Sequence, residues 1–256
     1  MLIATWNVNS LRVRLPQLLE WLDRVAPDIV GLQETKVVDG DFPQAQLAAA
    51  GYHAVFCGQP TYNGVALLSR QPPAEPLMGF PRREEDPQRR CIAASYGDLR
   101  VVNAYVPNGS AVGSDKYAYK LGWLSDFQRY LVTALEQSPR LLVMGDFNIA
   151  PADLDVHDPA AWQGQVLVSP AERAAFAELA GLGLHDAFRA LHPAQQAFTW
   201  WDYRAAGFRR NHGLRIDHIL VSSSLLDDCG DCHVELDLRR AERPSDHAPL
   251  LLQLDR

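Results

Sequence analysis

Acidic and amide side chains recur in this sequence where apolar runs end. In LLVMGDFNIAP, residues 141–151, an apolar run ends in Asp146 and Asn148 before Pro151 stops it. Asp and Asn at such a point can simply form a turn, because their side chains hydrogen-bond nearby backbone. Two residues apart on an extended chain, however, they project in the same direction. They could therefore form half of a polar site.

The same pattern repeats along the chain. Other strand-like runs end at or close to Asn7 and Asn9, Glu34, Tyr105 and Asn108. Asp217 comes in the segment after GLR, and Asp246 with His247 lies in a loop just before the closing strand. Each of these residues alone has an ordinary explanation as a turn, surface or core residue. Together, carboxylates, amides and a histidine predict a divalent-metal site with an acid–base partner. Hard cations prefer oxygen ligands, and histidine titrates near neutral pH.

The elements that would position these residues are strands with a few long helices. Runs rich in Val, Ile, Leu and aromatics, bounded by Gly, Pro, Asn or Asp, predict strands; they are LIATW, DIVGLQ, HAVFC, GVALLSR, CIAASY, LRVVNAYV, LLVMGD, RIDHILVS, HVEL and PLLLQL. Amphipathic patterns predict helices over 15–25, 119–137 and 169–182. Ser169, Pro170 and Glu172 are typical of a capped helix start. No linker divides residues 1–256, so we expect one domain of two packed sheets with helices outside, a mixed α/β architecture.

Composition limits the partners. Lys plus Arg total 24 and Asp plus Glu 31, and the net charge of −7 excludes a protein that coats nucleic acid nonspecifically. Any nucleic-acid contact must come from local basic clusters. The sequence has no apolar run of membrane-spanning length and no signal-peptide pattern, so we expect a cytoplasmic protein without a membrane partner.

The four cysteines fit the cytoplasm as reduced thiols. Cys229 and Cys232 form one CxxC, which could be redox-active or half of a zinc site. Because no second pair accompanies it, we interpret CGDC as small residues that precede a strand over 233–236.

A set of motifs carries a family resemblance. WNVNSLR, LQETK, NGVALLSR, NAYVPN, MGDFNIAP, FTWWDYR, GLRIDHIL and PSDHAP follow one another between residues 6 and 249. The chain resembles the exonuclease III family of abasic-site endonucleases, within the endonuclease/exonuclease/phosphatase superfamily that includes DNase I. GDFN and SDH are shared across that superfamily, whereas QETK, AYVPN, WDYR and GLRID indicate its DNA-repair branch. The resemblance implies a four-layer αββα sandwich of two mixed β-sheets flanked by helices.

The resemblance also implies an activity and a cofactor. We expect hydrolysis of the phosphodiester 5′ to an abasic site in duplex DNA, leaving a 3′-hydroxyl, with 3′-to-5′ exonuclease and 3′-phosphatase activities. The partner is double-stranded DNA containing abasic sites or blocked 3′ ends, and no obligate protein partner is implied. Mg²⁺ is the expected cofactor, with Mn²⁺ as a substitute. The side chains implied at or beside the metal are Asn7, Glu34, Asp146, Asn148, Asp246 and His247.

The catalytic roles follow from the same resemblance. Asp146 would take a proton from the attacking water, and Asn148 would orient that water or the phosphate. His247 would hydrogen-bond a phosphate oxygen, while Asp217 fixes its tautomer. Tyr105 would donate a hydrogen bond to the phosphate or act as a phenolate. Which residue activates the water stays open.

Substrate choice depends on other residues. The resemblance places Trp200, Leu214 and Ile216 around an apolar pocket for a flipped deoxyribose that lacks its base, which is cheap to extrude because no base stacking is lost. Leu214 stands where human-type enzymes have Trp, so pocket tightness and the balance of activities stay open. As backbone-phosphate contacts we expect Arg90, Asn108 and Lys120.

Two alternatives remain. A catalytically silent RNA-binding regulator can be built on the same fold, but it should have lost Glu34, Asp146 or His247, and all three are present. A phosphatase of inositol phosphates, or a sphingomyelinase, should lack WDYR and GLRID.

Overall fold

The computed structural model describes residues 1–255, and these contain fourteen β-strands. In chain order, β1 to β14 are Leu2–Asn7, Ile29–Gln33, His53–Cys57, Val65–Ser69, Ala74–Met78, Cys91–Tyr96, Leu99–Tyr105, Leu141–Asp146, Leu184–Asp186, Trp200–Trp201, Gly213–Leu214, Asp217–Ser222, Cys229–Val234 and Leu250–Leu254.

The described part of the chain has eight α-helices, and only a few of them are long. In chain order, α1 to α8 are Leu11–Val25, Gln44–Ala49, Asp115–Gln137, Pro159–Trp162, Pro170–Ala180, Ala187–Leu191, Ser223–Leu226 and Asp237–Arg240. Within residues 1–255, no helix combines the length and the apolar character that a bilayer crossing requires.

The strands form two six-stranded sheets and one short ribbon. The first sheet has the order β13-β14-β1-β2-β4-β3, the second has the order β5-β6-β7-β8-β12-β9, and β10 pairs with β11. Within the sheets, β1 with β2 and β7 with β8 are parallel, and the other pairs are antiparallel. Each parallel pair is joined by a long crossover helix, α1 or α3, as parallel neighbours require.

The two sheets pack face to face, and helices cover their outer faces. Along β8, Leu142 and Met144 enter the core between the sheets, while Leu141 and Val143 pack with the apolar sides of α3 and α5. Alternate strand residues point to opposite faces, so a strand buried on both faces reads as an unbroken apolar run. On the first sheet, α1 packs through residues such as Trp21. The predicted αββα sandwich is confirmed.

Helix α1 begins earlier than its apolar pattern predicted. The amphipathic pattern predicted a helix over 15–25, whereas α1 begins at Leu11 and contains Pro16. In the structure Leu11 is fully buried, and its backbone N–H donates to Thr35 O at 2.9 Å. This anchor adds a turn before the proline. At α5 the predicted start is confirmed, since Ser169 caps Pro170–Ala180 and its Oγ accepts from Glu172 N at 3.4 Å.

The strand predicted over 233–236 begins earlier, at Cys229, and ends at Val234. CGDC does not precede a strand but forms most of β13, Cys229–Val234, which pairs with β14 as an edge strand. Its residue types have weak strand preference, and the pairing partner decides the conformation. Edge strand β5, Ala74–Met78, was not predicted because it is largely exposed and contains a proline. All four cysteines are free thiols.

Candidate active site

The predicted site residues converge at one edge of the sandwich. Asn7 ends β1, Glu34 follows β2, Tyr105 ends β7 and Asp146 ends β8. Each parallel pair of strands therefore delivers its carboxyl end to the same place. Asn7 and Asp146, from different sheets, are already within hydrogen-bond distance, at 2.9 Å.

Three further residues reach this edge from strands that run the other way. Asp217 begins β12, which is antiparallel to β8, and pairs in register with Asp146. Asp246 and His247 lie in the loop before β14, which is antiparallel to β1. Just before Asp146, Gly145 has φ 144°, and a Cβ there would lie 1.8 Å from Ala104 O. Only glycine lets β8 approach β7 this closely.

Asn7 joins two carboxylates. Its Nδ2 donates to Glu34 Oε1 at 2.8 Å and to Asp146 Oδ2 at 2.9 Å. The other Glu34 oxygen, Oε2, lies 2.8 Å from Lys36 Nζ. Burial raises the pKa of Glu34, but the Lys36 charge and the Asn7 hydrogen bond outweigh it and hold the pKa below its usual value. Glu34 is therefore a carboxylate at neutral pH, held on a backbone with φ 50°.

Asp217 and His247 form a buried pair. Nδ1 of His247 lies 2.8 Å from Asp217 Oδ2, and its Nε2 lies 3.8 Å from Asp146 Oδ2. Burial lowers the pKa of His247, but the charges of Asp217 and Asp146 outweigh it and raise the pKa to about 10. With Nδ1 donating to Asp217, the charged ring directs its Nε2–H toward Asp146 and the open side of the site.

Asp146 and Tyr105 have shifted pKa values that assign them different roles. Burial, reinforced by Asp217 and opposed by His247, raises the pKa of Asp146 to about 7. A carboxyl group with that pKa can act as a general base near neutrality. Burial, followed by the charges of Glu34 and Asp146, raises the pKa of Tyr105 well above its usual value. Of the two predicted roles of Tyr105, the hydrogen-bond donor is thus favoured over the phenolate.

Asn148 is held by its neighbours on the loop after β8. Its N–H donates to Asp146 Oδ1 at 2.9 Å, and its Nδ2 donates to Val106 O at 3.0 Å. Its Oδ1 accepts from Asn108 Nδ2 at 3.0 Å. A positive φ of 51° places the residue in the left-handed region, where Asn is well tolerated. The Asn148 amide is therefore fixed next to Asp146 in a single orientation.

The donor set fits a divalent cation. Ligand atoms of Asp146, Asp217 and His247 lie within 4.8 Å of one another. Within residues 1–255, Asp217 Oδ1 is buried and has no hydrogen-bond partner. Each oxygen of Glu34 accepts one hydrogen bond and keeps further lone pairs. Clustered carboxylate oxygens, one of them unpaired, suit a hard cation that prefers oxygen ligands.

The comparisons with known proteins agree with this arrangement. The Endonuclease/Exonuclease/phosphatase family matches residues 4–247. Exodeoxyribonuclease III of Haemophilus influenzae is 42% identical, over 98% of this chain and 98% of its own. The chain belongs to the exonuclease III family. It is accordingly a nuclease.

Solved structures extend the similarity of this exonuclease III family member. The chain has a TM-score of 0.99 and 46% identity to a variant of the 3′ phosphatase NExo from Neisseria bound to product DNA hairpin, with 100% of both chains covered. It has a TM-score of 0.96 and 38% identity to an AP endonuclease from Archaeoglobus fulgidus, again over 100% of both chains.

In this exonuclease III family member, the predicted pocket residues lie together but are mostly enclosed. Trp200 pairs with Leu214 across the β10–β11 ribbon, and its Nε1 donates to Asp246 Oδ2 at 3.0 Å. Leu214 and Ile216 are 0% and 1% exposed and pack in an apolar cluster with Leu167. Of the three pocket residues, only Trp200 is partly exposed. The pocket for an abasic sugar remains a prediction.

The three predicted phosphate contacts separate into two groups. Arg90 and Asn108 line a cleft of about 390 Å³ that also contains Glu34 and Tyr105. Lys120, by contrast, is fully buried. Its ammonium group pairs with Glu172 and donates to Asn148 O at 2.7 Å and Asn108 O at 3.2 Å. The prediction of a direct phosphate contact is therefore wrong for Lys120, which instead ties together two loops of the site.

The structure adds Lys36 to the site and gives partners to Asn9, which the sequence predicted only as a polar residue near a strand end. Asn9 Nδ2 donates to Asp246 Oδ1 at 2.9 Å, and Asn9 Oδ1 accepts from Lys36 Nζ at 2.5 Å. Because Lys36 also forms an ion pair with Glu34, these contacts connect Asp246 with Glu34. The signal was present, because Lys36 belongs to LQETK and Asn9 to WNVNSLR.

Proposed function

We propose that this protein is a DNA repair nuclease that hydrolyses the phosphodiester 5′ to an abasic site in duplex DNA and leaves a 3′-hydroxyl. We further propose 3′-to-5′ exonuclease and 3′-phosphatase activities at the same site. The observation that carries the proposal is the contact between Asp146, whose pKa is raised to about 7, and the buried Asp217–His247 pair. A general base, Asp146, and a charged imidazole, His247, thus lie side by side in the site.

Two groups divide the acid–base and electrostatic work. Asp146 accepts the proton of the attacking water, because its pKa near neutrality allows it to be both ionised and basic. His247, kept charged by Asp217, donates from Nε2 to a phosphate oxygen as negative charge develops there.

Neutral donors complete the contacts to the phosphate. Asn148 is held rigidly by Val106 and Asn108 and orients the water or the phosphate. Tyr105, kept neutral by burial and by the surrounding carboxylates, donates from its phenol. Fixed donors of this kind stabilise the transition state without reorganising during the reaction.

A divalent cation, Mg²⁺ with Mn²⁺ as a substitute, is the proposed cofactor, and it supplies Lewis-acid stabilisation of the phosphate and the leaving oxygen. Glu34 would hold it, with Asp217 Oδ1 as the unpaired oxygen nearby. Asn7 orients both carboxylates through its Nδ2, and Lys36 keeps Glu34 ionised.

The proposed substrate is duplex DNA with an abasic site or a blocked 3′ end. A relative of similar length is named exodeoxyribonuclease III, and one solved neighbour is named an AP endonuclease. A second neighbour is described as a 3′ phosphatase bound to product DNA hairpin. Four free thiols accord with the reducing cytoplasm as the place of action.

One assay separates the proposal from its alternatives. Purified protein is given matched oligonucleotide duplexes, one abasic and one intact, and separately an inositol phosphate, sphingomyelin and a structured RNA. Incision 5′ to the abasic position, leaving an extendable 3′-hydroxyl, supports the proposal. Hydrolysis of inositol phosphate or sphingomyelin in preference to DNA, or RNA binding without cleavage of any substrate, would contradict it.

A further inference from the structure

Three polar side chains form a cluster in the otherwise apolar space between the two sheets. We call Thr5, Gln33 and Asn103 the inter-sheet network. Nε2 of Gln33 lies 2.9 Å from Thr5 Oγ1 and 2.6 Å from Asn103 Oδ1. Nδ2 of Asn103 lies 2.9 Å from both Leu32 O and Ala66 O. Asn103 on β7 of the second sheet is thus bonded to the main chain of β2 and β4 of the first.

A glycine makes room for this crossing. A Cβ at Gly31 on β2 would lie 2.7 Å from Met144 Cε and 2.9 Å from Asn103 Cγ and Oδ1. Any side chain there would push the Asn103 amide away from β2. The close approach of the sheets and the reach of Asn103 therefore depend on the same small residue.

The network lies one layer below the catalytic groups. Thr5 precedes Asn7 by two residues, and Asn103 precedes Tyr105 by two residues. Residues two apart on a strand share a face, so Thr5 and Asn103 each lie directly beneath a site side chain. Gln33 pairs in register with Asn7 and is followed immediately by Glu34.

The network is a poor way to stabilise the fold. Gln33 Oε1 is buried and, within residues 1–255, has no hydrogen-bond partner. A buried polar atom without a partner costs free energy, and apolar side chains of the same shape would avoid that cost. Apolar packing, however, is non-directional and does not by itself fix how far one sheet slides over the other. Hydrogen bonds between the sheets do fix that distance.

We propose that Gln33 and Asn103 are positioning residues that set the register between the two sheets. The site needs that register because Asn7 and Glu34 come from the first sheet, whereas Tyr105 and Asp146 come from the second. The Asn7–Asp146 hydrogen bond spans this boundary. The inference rests on the proposed function only in assuming that these residues act together on one phosphoester.

The test is a double variant of the full chain, Gln33→Met with Asn103→Leu, which keeps side-chain volume and removes the hydrogen bonds. Its matched control is Ile92→Leu, because Ile92 is buried between the sheets as the register partner of Asn103 on β6 and makes no polar side-chain contact in the described chain. We expect an unchanged or raised urea midpoint for the double variant. We expect kcat to fall roughly 10- to 100-fold, the scale of a small misplacement, with little change in KM. The control should match wild type.

Two substrates distinguish this inference from the proposed function. Abasic duplex and a small unselective phosphodiester are both assayed, and the fall in kcat should be similar for both, because the loss concerns the common chemistry. The concentration of Mg²⁺ needed for half-maximal rate should rise. If wild type cleaves the small diester but not abasic duplex, the proposed function fails, and the network is judged on the diester.

A kcat within about twofold of wild type in a folded double variant would overturn the inference. A fall in kcat that only matches the unfolded fraction would overturn it as well, since that is what a structural role predicts. If the double variant does not fold, Thr5→Val and Gln33→Met are measured singly. Unchanged kcat in both would then reject the positioning role, and a fall in kcat at wild-type stability would support it.

Discussion

Asp146 and His247 approach each other at 3.8 Å with pKa values raised to about 7 and about 10. The charges of Asp217 and Asp146 favour the protonated imidazole, so a charged donor lies beside the carboxyl group proposed as the base. This is the protonation state in which a base and a charged donor coexist. The buried Asp217 maintains it by holding Nδ1.

Replacing either member with asparagine tests that reading. Asp146→Asn and His247→Asn should each lower kcat by roughly 10²-fold or more, the scale of lost acid–base or oxyanion assistance. Both substitutions keep a polar side chain of similar reach, so folding should survive. Incision kinetics and urea unfolding measure the two effects, with His53→Asn, an exposed residue on β3, as the control. Turnover near the wild-type rate would assign the replaced residue a structural role only.

Trp200 tests substrate selection apart from chemistry. An abasic sugar offers no base edge to read, so shape should select it. We expect Trp200→Ala to reduce the ratio of abasic to intact duplex incision while leaving hydrolysis of a small phosphodiester nearly unchanged. Rates on matched oligonucleotides in one buffer give the ratio. Because Trp200 Nε1 also bonds Asp246, Trp200→Phe separates loss of that hydrogen bond from loss of the aromatic surface. An unchanged ratio in both variants would place the selecting contacts elsewhere.

The salt dependence of DNA binding distinguishes Lys120 from a lysine that contacts phosphate directly. A direct phosphate contact contributes about 0.9 to the slope of log affinity against log salt. Lys120→Met paired with Glu172→Gln, which leaves no unmatched buried charge, should lower kcat and leave that slope unchanged. Lys116→Ala, at an exposed lysine on the same helix that lines the cleft, should reduce the slope. DNA binding titrated at several salt concentrations measures both. A reduced slope in the Lys120 variant would support a direct contact between Lys120 and phosphate.

At the scale of elements, one buried guanidinium connects three segments. Arg215, just before β12, pairs through Nε with Asp155 on the loop after β8 and through Nη1 with Asp186 at the end of β9, both at 2.7 Å. Burial raises the pKa of Asp186, but the Arg215 charge outweighs it and holds the pKa well below its usual value. These segments flank Asp217, so the network supports the strand that positions it.

That depressed pKa predicts acid sensitivity. A carboxylate whose pKa is lower when folded contributes stability above its unfolded pKa of about 3.9 and loses it as pH falls further. The wild-type free energy of unfolding should therefore decline steeply between roughly pH 5 and pH 2. Asp186→Asn should be less stable at pH 7 and should show a shallower decline. Exposed Asp227→Asn is the control, and urea unfolding at each pH is the measurement. Parallel declines for wild type and Asp186→Asn would show that this ion pair does not drive acid unfolding.

The elements show what sequence could and could not predict. Asp146 and Asn148 lie together as predicted, but not because of strand geometry: β8 ends at Asp146, Asn148 has φ 51°, and a turn hydrogen bond from Asn148 N–H to Asp146 Oδ1 holds the two residues together. The burial of Lys120 was not predictable, since its partner Glu172 lies 52 residues away and only packing of α3 against α5 brings them together. The edge strand of CGDC was missed for a similar reason, because pairing with β14 outweighs local preference. Local sequence patterns predicted which strand ends carry the site residues. They could not predict which residues distant in sequence would pair with one another.

For the whole molecule, the decisive prediction is metal dependence. Glu34 from the first sheet and Asp146 from the second are joined through Asn7 Nδ2, and carboxylates gathered in this way are stabilised by a cation. Activity should vanish in EDTA and return with Mg²⁺ or Mn²⁺, and Glu34→Ala should need far more metal for the same rate. Rates over a metal titration, with Glu20→Ala as a control at a surface glutamate on α1, give the comparison. Full activity in chelator would rule out the metal.

The position of β14 in the chain also determines when, during synthesis, the site can assemble. Leu250–Leu254 lies between β13 and β1, and His247 comes just before it. A ribosome that has translated Glu34, Asp146 and Asp217 has therefore made most of the catalytic groups but neither the histidine nor the strand that encloses β1. Pairing across some 250 residues closes late, because distant contacts must overcome a large loop-closure entropy. A nascent chain consequently lacks an assembled site until His247 and β14 have been synthesised.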